Sequence, residues 1–221
     1  MNPPLNLFLV RHGETAWSVS GQHTGRTDIP LTLTGEDQAR ELIPWLQNVH
    51  FARVFTSPRQ RAGRTCVLAG LGGQAEIEQD LQEWDYGDYE GKRSLDIRQL
   101  RPGWSAFEDG CPGGEMPDDI AARADRLIAR LCTMDGNVAL FSHGQFGVAL
   151  AARWIGLSVI SAQHFLLGTA SLSILSYNPS HPEIRVIALW NASPAAFART
   201  EPIEGALGLG HGAKAGSGYR M

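Results

Sequence analysis

The chain opens on an apolar run that ends at charge. Leu5 to Val10 is almost continuously hydrophobic, and it stops at Arg11-His12-Gly13-Glu14. Short apolar or β-branched runs recur at Arg53–Phe55, Asn137–Ser142, Thr169–Tyr177 and Ile184–Trp190. Each is bounded by turn residues, and each predicts a strand. Between them the apolar positions take helical spacing. Gly35–Leu46 follows Thr34, a predicted cap, with Glu36 and Asp37 in the first turn. Ser57-Pro58 predicts a helix running to Ala69, with Ser57 as N-cap and Pro58 in the first helical position. Within Pro117–Leu131, Ile120, Ala124, Leu127 and Leu131 form one stripe, while Arg123, Asp125, Arg126 and Arg130 face elsewhere. A fourth helix is predicted over Gly144–Ile155.

Alternation of strand and helix predicts the α/β class with a largely parallel sheet. The last two strands are separated only by Asn178–Pro182, which predicts a hairpin and so a mixed sheet. Residues 1–200 are expected to form a single domain. Gln99–Pro117, rich in Gly and Pro and holding Trp104 and Phe107, reads as an excursion that covers a site. Residues 201–221, with glycines at 205, 208, 210, 212, 216 and 218, read as a mobile tail.

Composition narrows the function classes. The net charge of −4 argues against nucleic-acid or anionic-membrane binding. Cys66, Cys111 and Cys132 form no C-x-x-C pair, which predicts inert thiols in a reducing, cytoplasmic setting and no zinc site. His23, His50, His164, His181 and His211 lack metal-ligand spacing. No cofactor is expected: the glycines of "GLGHG" lack a preceding strand and a following helix. The N-terminus has no basic n-region, and its apolar run is too short to span a bilayer. No face announces an interface, so a homodimer is compatible with the sequence without being indicated by it.

Candidate chemistry gathers at strand ends. Ligands in parallel α/β sheets sit beyond the carboxyl ends of the strands, where Arg11 and His12 lie. The pattern recurs in "NVALFSHGQFG": an apolar strand, then Ser142-His143-Gly144, then a helix. Gly13 and Gly144 would let backbone approach a ligand, and the helix N-terminus after Gly144 favours an anion. "SPRQRAGRT" places Arg59, Arg61 and Arg64 near a helix start, and arginine suits bidentate phosphate recognition. Arg59 and Arg64 read as surface charges. Glu83 in "LQEWDYGDYEG" is flanked by Trp84 and Tyr86, and aromatic walls would raise its pKa as a general acid requires. Trp17, Trp84 and Tyr86 fit either packing or a substrate wall.

Taken together, "LVRHGETAWS", "SPRQRAGRT", "LQEWDYG", "PGGE" and "FSHG" resemble, in order, the histidine phosphatase superfamily, which includes the cofactor-dependent phosphoglycerate mutases. The resemblance runs from Leu5 to Trp190 and looks closest to bacterial acid phosphatases and sugar bisphosphatases. It implies a three-layer α/β/α fold with a mostly parallel mixed sheet. It also implies His12 as nucleophile, with Arg11, Arg61 and His143 holding the phosphoryl oxygens and Glu83 as proton donor. Ser18, Thr24, Gly25, Tyr86, Gly144 and Gln145 would bind substrate. Ser18 departs from the Asn common in the family at that place. The implied activity is metal-independent hydrolysis of a small phosphorylated substrate through a phosphohistidine. Phosphoglycerate mutase and a sedoheptulose- or fructose-type bisphosphatase are the alternatives. A non-catalytic phospho-ligand binder is disfavoured because all the motif residues are present. Hydrolysis is preferred over mutase chemistry, since an acidic "EWDYGDYE" would repel a second carboxylate. Trp104 and Phe107 suggest an apolar or ring-bearing leaving group.

Overall fold

The computed structural model describes residues 4–193. Its strands are β1 (Asn6–Arg11), β2 (Phe51–Thr56), β3 (Ala75–Ile77), β4 (Asn137–Ser142), β5 (Leu172–Asn178) and β6 (His181–Ala192). Its helices are α1 (Ala16–Ser20), α2 (Leu33–Arg40), α3 (Ile43–Leu46), α4 (Gln60–Leu68), α5 (Ser94–Leu100), α6 (Ala106–Asp109), α7 (Pro117–Leu131) and α8 (Gly144–Trp154). Among the described residues the sheet has the order β3-β2-β4-β1-β5-β6. The pairs β2–β3, β2–β4 and β1–β4 are parallel, whereas β5 and β6 run antiparallel, as the hairpin expectation required.

Strand alternation builds two cores. Leu7, Leu9, Val138 and Leu140 point to one face, where Ile120, Ala124 and Leu127 of α7 and Phe146 and Leu150 of α8 cover them. Val10, Val54, Ala139 and Phe141 point to the other, against Leu46 of α3 and Ala62 and Cys66 of α4. Helices thus lie on both faces of the sheet.

The local differences from expectation have physical causes. The helix expected over 35–46 breaks at Glu41–Leu42. Pro44 lacks an N–H and disfavours helical geometry just before it. Its cap is Thr32, not Thr34: the Thr32 hydroxyl accepts from the Gly35 N–H at 3.0 Å. α4 starts at Gln60 after Arg59 rather than at Pro58; the Ser57 hydroxyl accepts from the Arg59 N–H at 3.3 Å and also meets His143. β3, three residues long, is too short to leave a periodic signal. The 99–117 stretch, expected as an excursion covering a site, is packed inward. Trp104, Phe107 and Cys111 are buried, and the Trp104 indole donates to the Gly110 carbonyl at 3.0 Å. The glycine-rich stretch 201–221 lies outside the described residues. No helix among them is long and apolar enough to cross a membrane.

Candidate active site

The register of the two central strands assembles the site. β1 and β4 pair in parallel with Arg11 opposite Ser142, so the residues that follow, His12 and His143, leave the sheet side by side. Their rings lie 5.2 Å apart at 64°. His12 Nδ1 donates to its neighbour Gly13's carbonyl at 2.7 Å. That bond fixes the tautomer and leaves Nε2 bare, with no hydrogen-bond partner among the described residues. Burial, then Arg11 and Arg61, hold the His12 pKa well below its ordinary 6.5, so the ring is a neutral base.

His143 is fully buried and neutral for the same reason: burial first, then the positive field of Arg61. Arg61 Nε donates to its Nδ1 at 3.2 Å, so Nε2 carries the proton and donates to the Ser57 hydroxyl at 2.8 Å. Arg61 is itself completely buried, and its other donors reach the carbonyls of Thr24, Gly25 and Thr27 at 2.8–3.2 Å. Arg61 and His143 therefore stand behind the cavity wall as a hydrogen-bonded layer.

The cavity itself has a volume of about 320 Å³. Arg11, His12, Ser18, Thr24, Glu83, Tyr86, Gly144 and Gln145 of the expected set line it. Gly25 does not: its N–H is bound by the Glu90 carboxylate, and a Cβ there would stand 2.4 Å from the Trp84 carbonyl. It lets the 24–27 loop close over Arg61. Trp84 is fully buried packing, while Trp17 and Tyr86 face the cavity.

The two motif glycines serve backbone and side-chain contacts inside the protein. A Cβ on Gly13 would lie 2.3 Å from the Gly35 carbonyl oxygen, so two backbones touch there. A Cβ on Gly144 would lie 3.2 Å from Arg11 Cζ; its absence lets the guanidinium settle against the start of α8. Arg11 is anchored by a 2.5 Å bond from Nη1 to the Leu167 carbonyl, and its buried Nε is unpaired. A buried cation with a spare donor is a place for an anion.

Glu83 meets an environment the sequence reading did not foresee. In place of purely aromatic walls, three backbone N–H groups hold its carboxylate: Trp84 at 2.9 Å, Phe146 at 2.7 Å and Gln145 at 3.1 Å. Two of these belong to the first turn of α8, so the carboxylate caps that helix from across the chain. Arg123 holds the backbone that presents it. Although expected to face outward, Arg123 is 8% exposed and donates to the Asp80, Gln82 and Glu83 carbonyls at 2.7–3.3 Å. Its Nε and Nη2 grip both oxygens of Glu115, in the "PGGE" motif, at 2.8 Å each. Thr65 is a second residue the sequence reading missed: its hydroxyl accepts from the Gly13 N–H at 3.0 Å and donates to the Arg61 carbonyl at 2.7 Å. Its place one turn after Arg61 is the signal that was available. Arg59 and Arg64 bind Gln82 and Glu36, away from the cavity.

A third neutral histidine, His23, sits on Tyr86 with ring centroids 4.4 Å apart, its pKa lowered from 6.5 to about 4 chiefly by burial. Histidines buried neutral stabilise the fold above their unfolded pKa and lose that contribution as pH falls below it. His23 alone accounts for about 3 kcal/mol between pH 6.5 and 4, and His12 and His143 add in the same direction. The midpoint of urea unfolding should therefore drop steeply below pH 6.5, and the His23→Gln variant should show a shallower slope. A flat profile would mean that these rings are already solvated.

The arrangement offers a donor for an anion, a bare imidazole nitrogen and a carboxylate in one cavity. Comparison with known proteins identifies the family. Residues 7–190 match the model of the histidine phosphatase superfamily, branch 1. An acid phosphatase of Mycobacterium tuberculosis is 40% identical over 188 residues, covering 83% of this chain and 92% of that protein. A sedoheptulose 1,7-bisphosphatase of Saccharomyces cerevisiae is 37% identical over 184 residues, covering 69% and 68%. The solved structure of a Mycobacterium tuberculosis open reading frame aligns with a TM-score of 0.80 at 36% identity, covering 85% of this chain and 97% of that one. The chain belongs to the histidine phosphatase superfamily, and it is a phosphatase.

Proposed function

We propose that this phosphatase hydrolyses small phosphate monoesters through a phosphohistidine on His12, with no metal in the chemical steps. The observation that carries the reading is the His12 ring. Its Nδ1 is tied to Gly13, its Nε2 is unpartnered, and the ring lines the same cavity as Arg11, whose Nε is a spare donor.

The Nε2 lone pair attacks phosphorus as the P–O bond to the alcohol breaks, and Glu83 gives its proton to the departing oxygen. Arg11 faces the oxygens on which charge accumulates; Arg61 and His143 act from the layer behind. The Glu83 carboxylate then takes a proton from water, whose oxygen attacks phosphorus and breaks the P–N bond. Inorganic phosphate leaves and both side chains are restored. The N–H groups of Trp84, Gln145 and Phe146 aim the carboxylate throughout. Three thiols kept free fit a cytoplasmic enzyme.

Glu83→Gln tests the cycle. A nitrophenolate leaving group needs no proton, so p-nitrophenyl phosphate with EDTA present should give a stoichiometric burst of nitrophenolate and an acid-labile phosphoenzyme, then slow turnover. Alkyl phosphates should lose about 10²–10⁴-fold in kcat with no burst. Equal losses on both esters, or no trapped phosphoenzyme, would remove Glu83 and the covalent intermediate from the reading. The bisphosphatase alternative draws on the yeast relative's name and requires a second site for an anion.

A further inference from the structure

Resting on the phosphomonoesterase reading, we propose that the cavity selects monoesters whose alcohol is apolar and carries no second anionic group. The lining has two chemistries: polar groups such as Arg11, His12, Thr24 and Glu83, and an apolar wall drawn from Trp17, Phe107, Val148, Phe165, Leu166 and Leu167. Of the described residues lining the cavity, Arg11 is the one lysine or arginine, and Arg11 belongs to the reacting phosphoryl group.

Cations close by in the chain are engaged elsewhere. Arg26 pairs with Asp85 at 2.5 Å and Arg93 with Asp96 at 2.8 Å. Arg98 donates to the Trp104 carbonyl at 2.8 Å, and the Lys92 ammonium lies over the Tyr89 ring. A second phosphate or a carboxylate entering this cavity would lose hydration and meet no lysine or arginine beyond Arg11 among the described lining residues. A sugar bisphosphate therefore fits poorly.

The apolar wall is built, not loose. Phe107 arrives on α6, which is tied to the 159–164 turn by Gln163 Nε2 donating to Glu108 at 3.3 Å. The Trp190 indole donates to the Leu166 carbonyl at 2.8 Å and its ring packs on Phe165. This fixes the segment from which Leu166 projects, 80% exposed, at the cavity mouth. Packing within the chain covers little of that leucine; an apolar alcohol seated in the mouth would cover more. Trp104, expected at the site from sequence, lies in the core, whereas Phe107 is in the wall.

The test uses aryl esters whose phenols leave with similar ease: 1-naphthyl, phenyl and 3-carboxyphenyl phosphate, with a ketose bisphosphate alongside. In the wild-type chain kcat/KM should fall by about tenfold at each step from naphthyl to phenyl to carboxyphenyl. Leu166→Arg changes an exposed position. It should raise kcat/KM for the carboxyphenyl ester and the bisphosphate about tenfold and lower it for the naphthyl ester. Phe165→Ser should lower only the naphthyl preference. A wild-type preference for the carboxylated or bisphosphorylated ester, with p-nitrophenyl phosphate still forming the phosphoenzyme, overturns the apolar-alcohol proposal alone. So does a Leu166→Arg ratio that stays put. Failure to hydrolyse any of the esters in EDTA sinks both it and the phosphomonoesterase reading.

Discussion

His12→Ala is expected to lower kcat by at least about four orders of magnitude while leaving a folded protein. The size follows from what the ring does. It supplies a bare imidazole nitrogen in the cavity that Arg11 lines, and the other two buried histidines are held in contacts of their own. His143 has both ring nitrogens committed, to Arg61 and to Ser57. His23 is bonded to the Ser94 hydroxyl at 3.1 Å and stacked on Tyr86. The fold should survive because the ring's own bond is local, to the carbonyl of the next residue. Removing a buried neutral histidine also removes a group that disfavours folding at acid pH. Phosphate release in EDTA, paired with a circular dichroism melt, reads both halves. Activity within tenfold of the parent would dismiss His12 as the nucleophile.

Arg61→Met should cost stability as well as turnover. The guanidinium is fully buried, and it satisfies three carbonyls and one imidazole nitrogen. Methionine nearly fills the space and leaves those four acceptors dry. The cost is on the order of 4 kcal/mol, a large part of the 5–15 kcal/mol that holds an ordinary domain together. The loop through Thr24 and Gly25 closes on this cation, and Thr24 lines the cavity, so kcat should fall beyond what unfolding explains. Arg61→Lys keeps the charge but cannot reach four acceptors; it should recover part of the stability and little of the activity. An unchanged urea midpoint in Arg61→Met would show that water replaces these bonds without loss.

Much of this was legible from residues alone, and the limits are instructive. The strand Asn137–Ser142 and the helix near Pro117–Leu131 are legible, because a continuous apolar run and a 3.6-residue stripe leave strong periodic marks. The convergence of Arg11, His12 and His143 could be expected from two strand ends carrying similar motifs. What stayed hidden were partnerships between distant side chains. Nothing in "SPR" says that Ser57 serves His143 as well as the turn that opens a helix. Nothing in the α7 pattern says that Arg123 turns inward to hold the Glu83 backbone, since a lone arginine on a helix ordinarily faces water. The surroundings of Glu83 were misjudged for a similar reason: its sequence neighbours are aromatic, but its hydrogen-bond donors include the first turn of a helix some sixty residues away.

The sheet order has a consequence for the newborn chain. β1 sits between β4 and β5, and both of those lie beyond residue 136. At ordinary rates of synthesis the first strand, with Leu7 and Leu9, must wait on the order of ten seconds for a neighbour. β2 and β3 can pair meanwhile, so the early chain holds one small parallel ribbon and one orphan apolar strand. The catalytic centre is thus among the last features to form. Chains that end before Asn137 would present bare strand edges to one another, which is the setting in which aggregation begins.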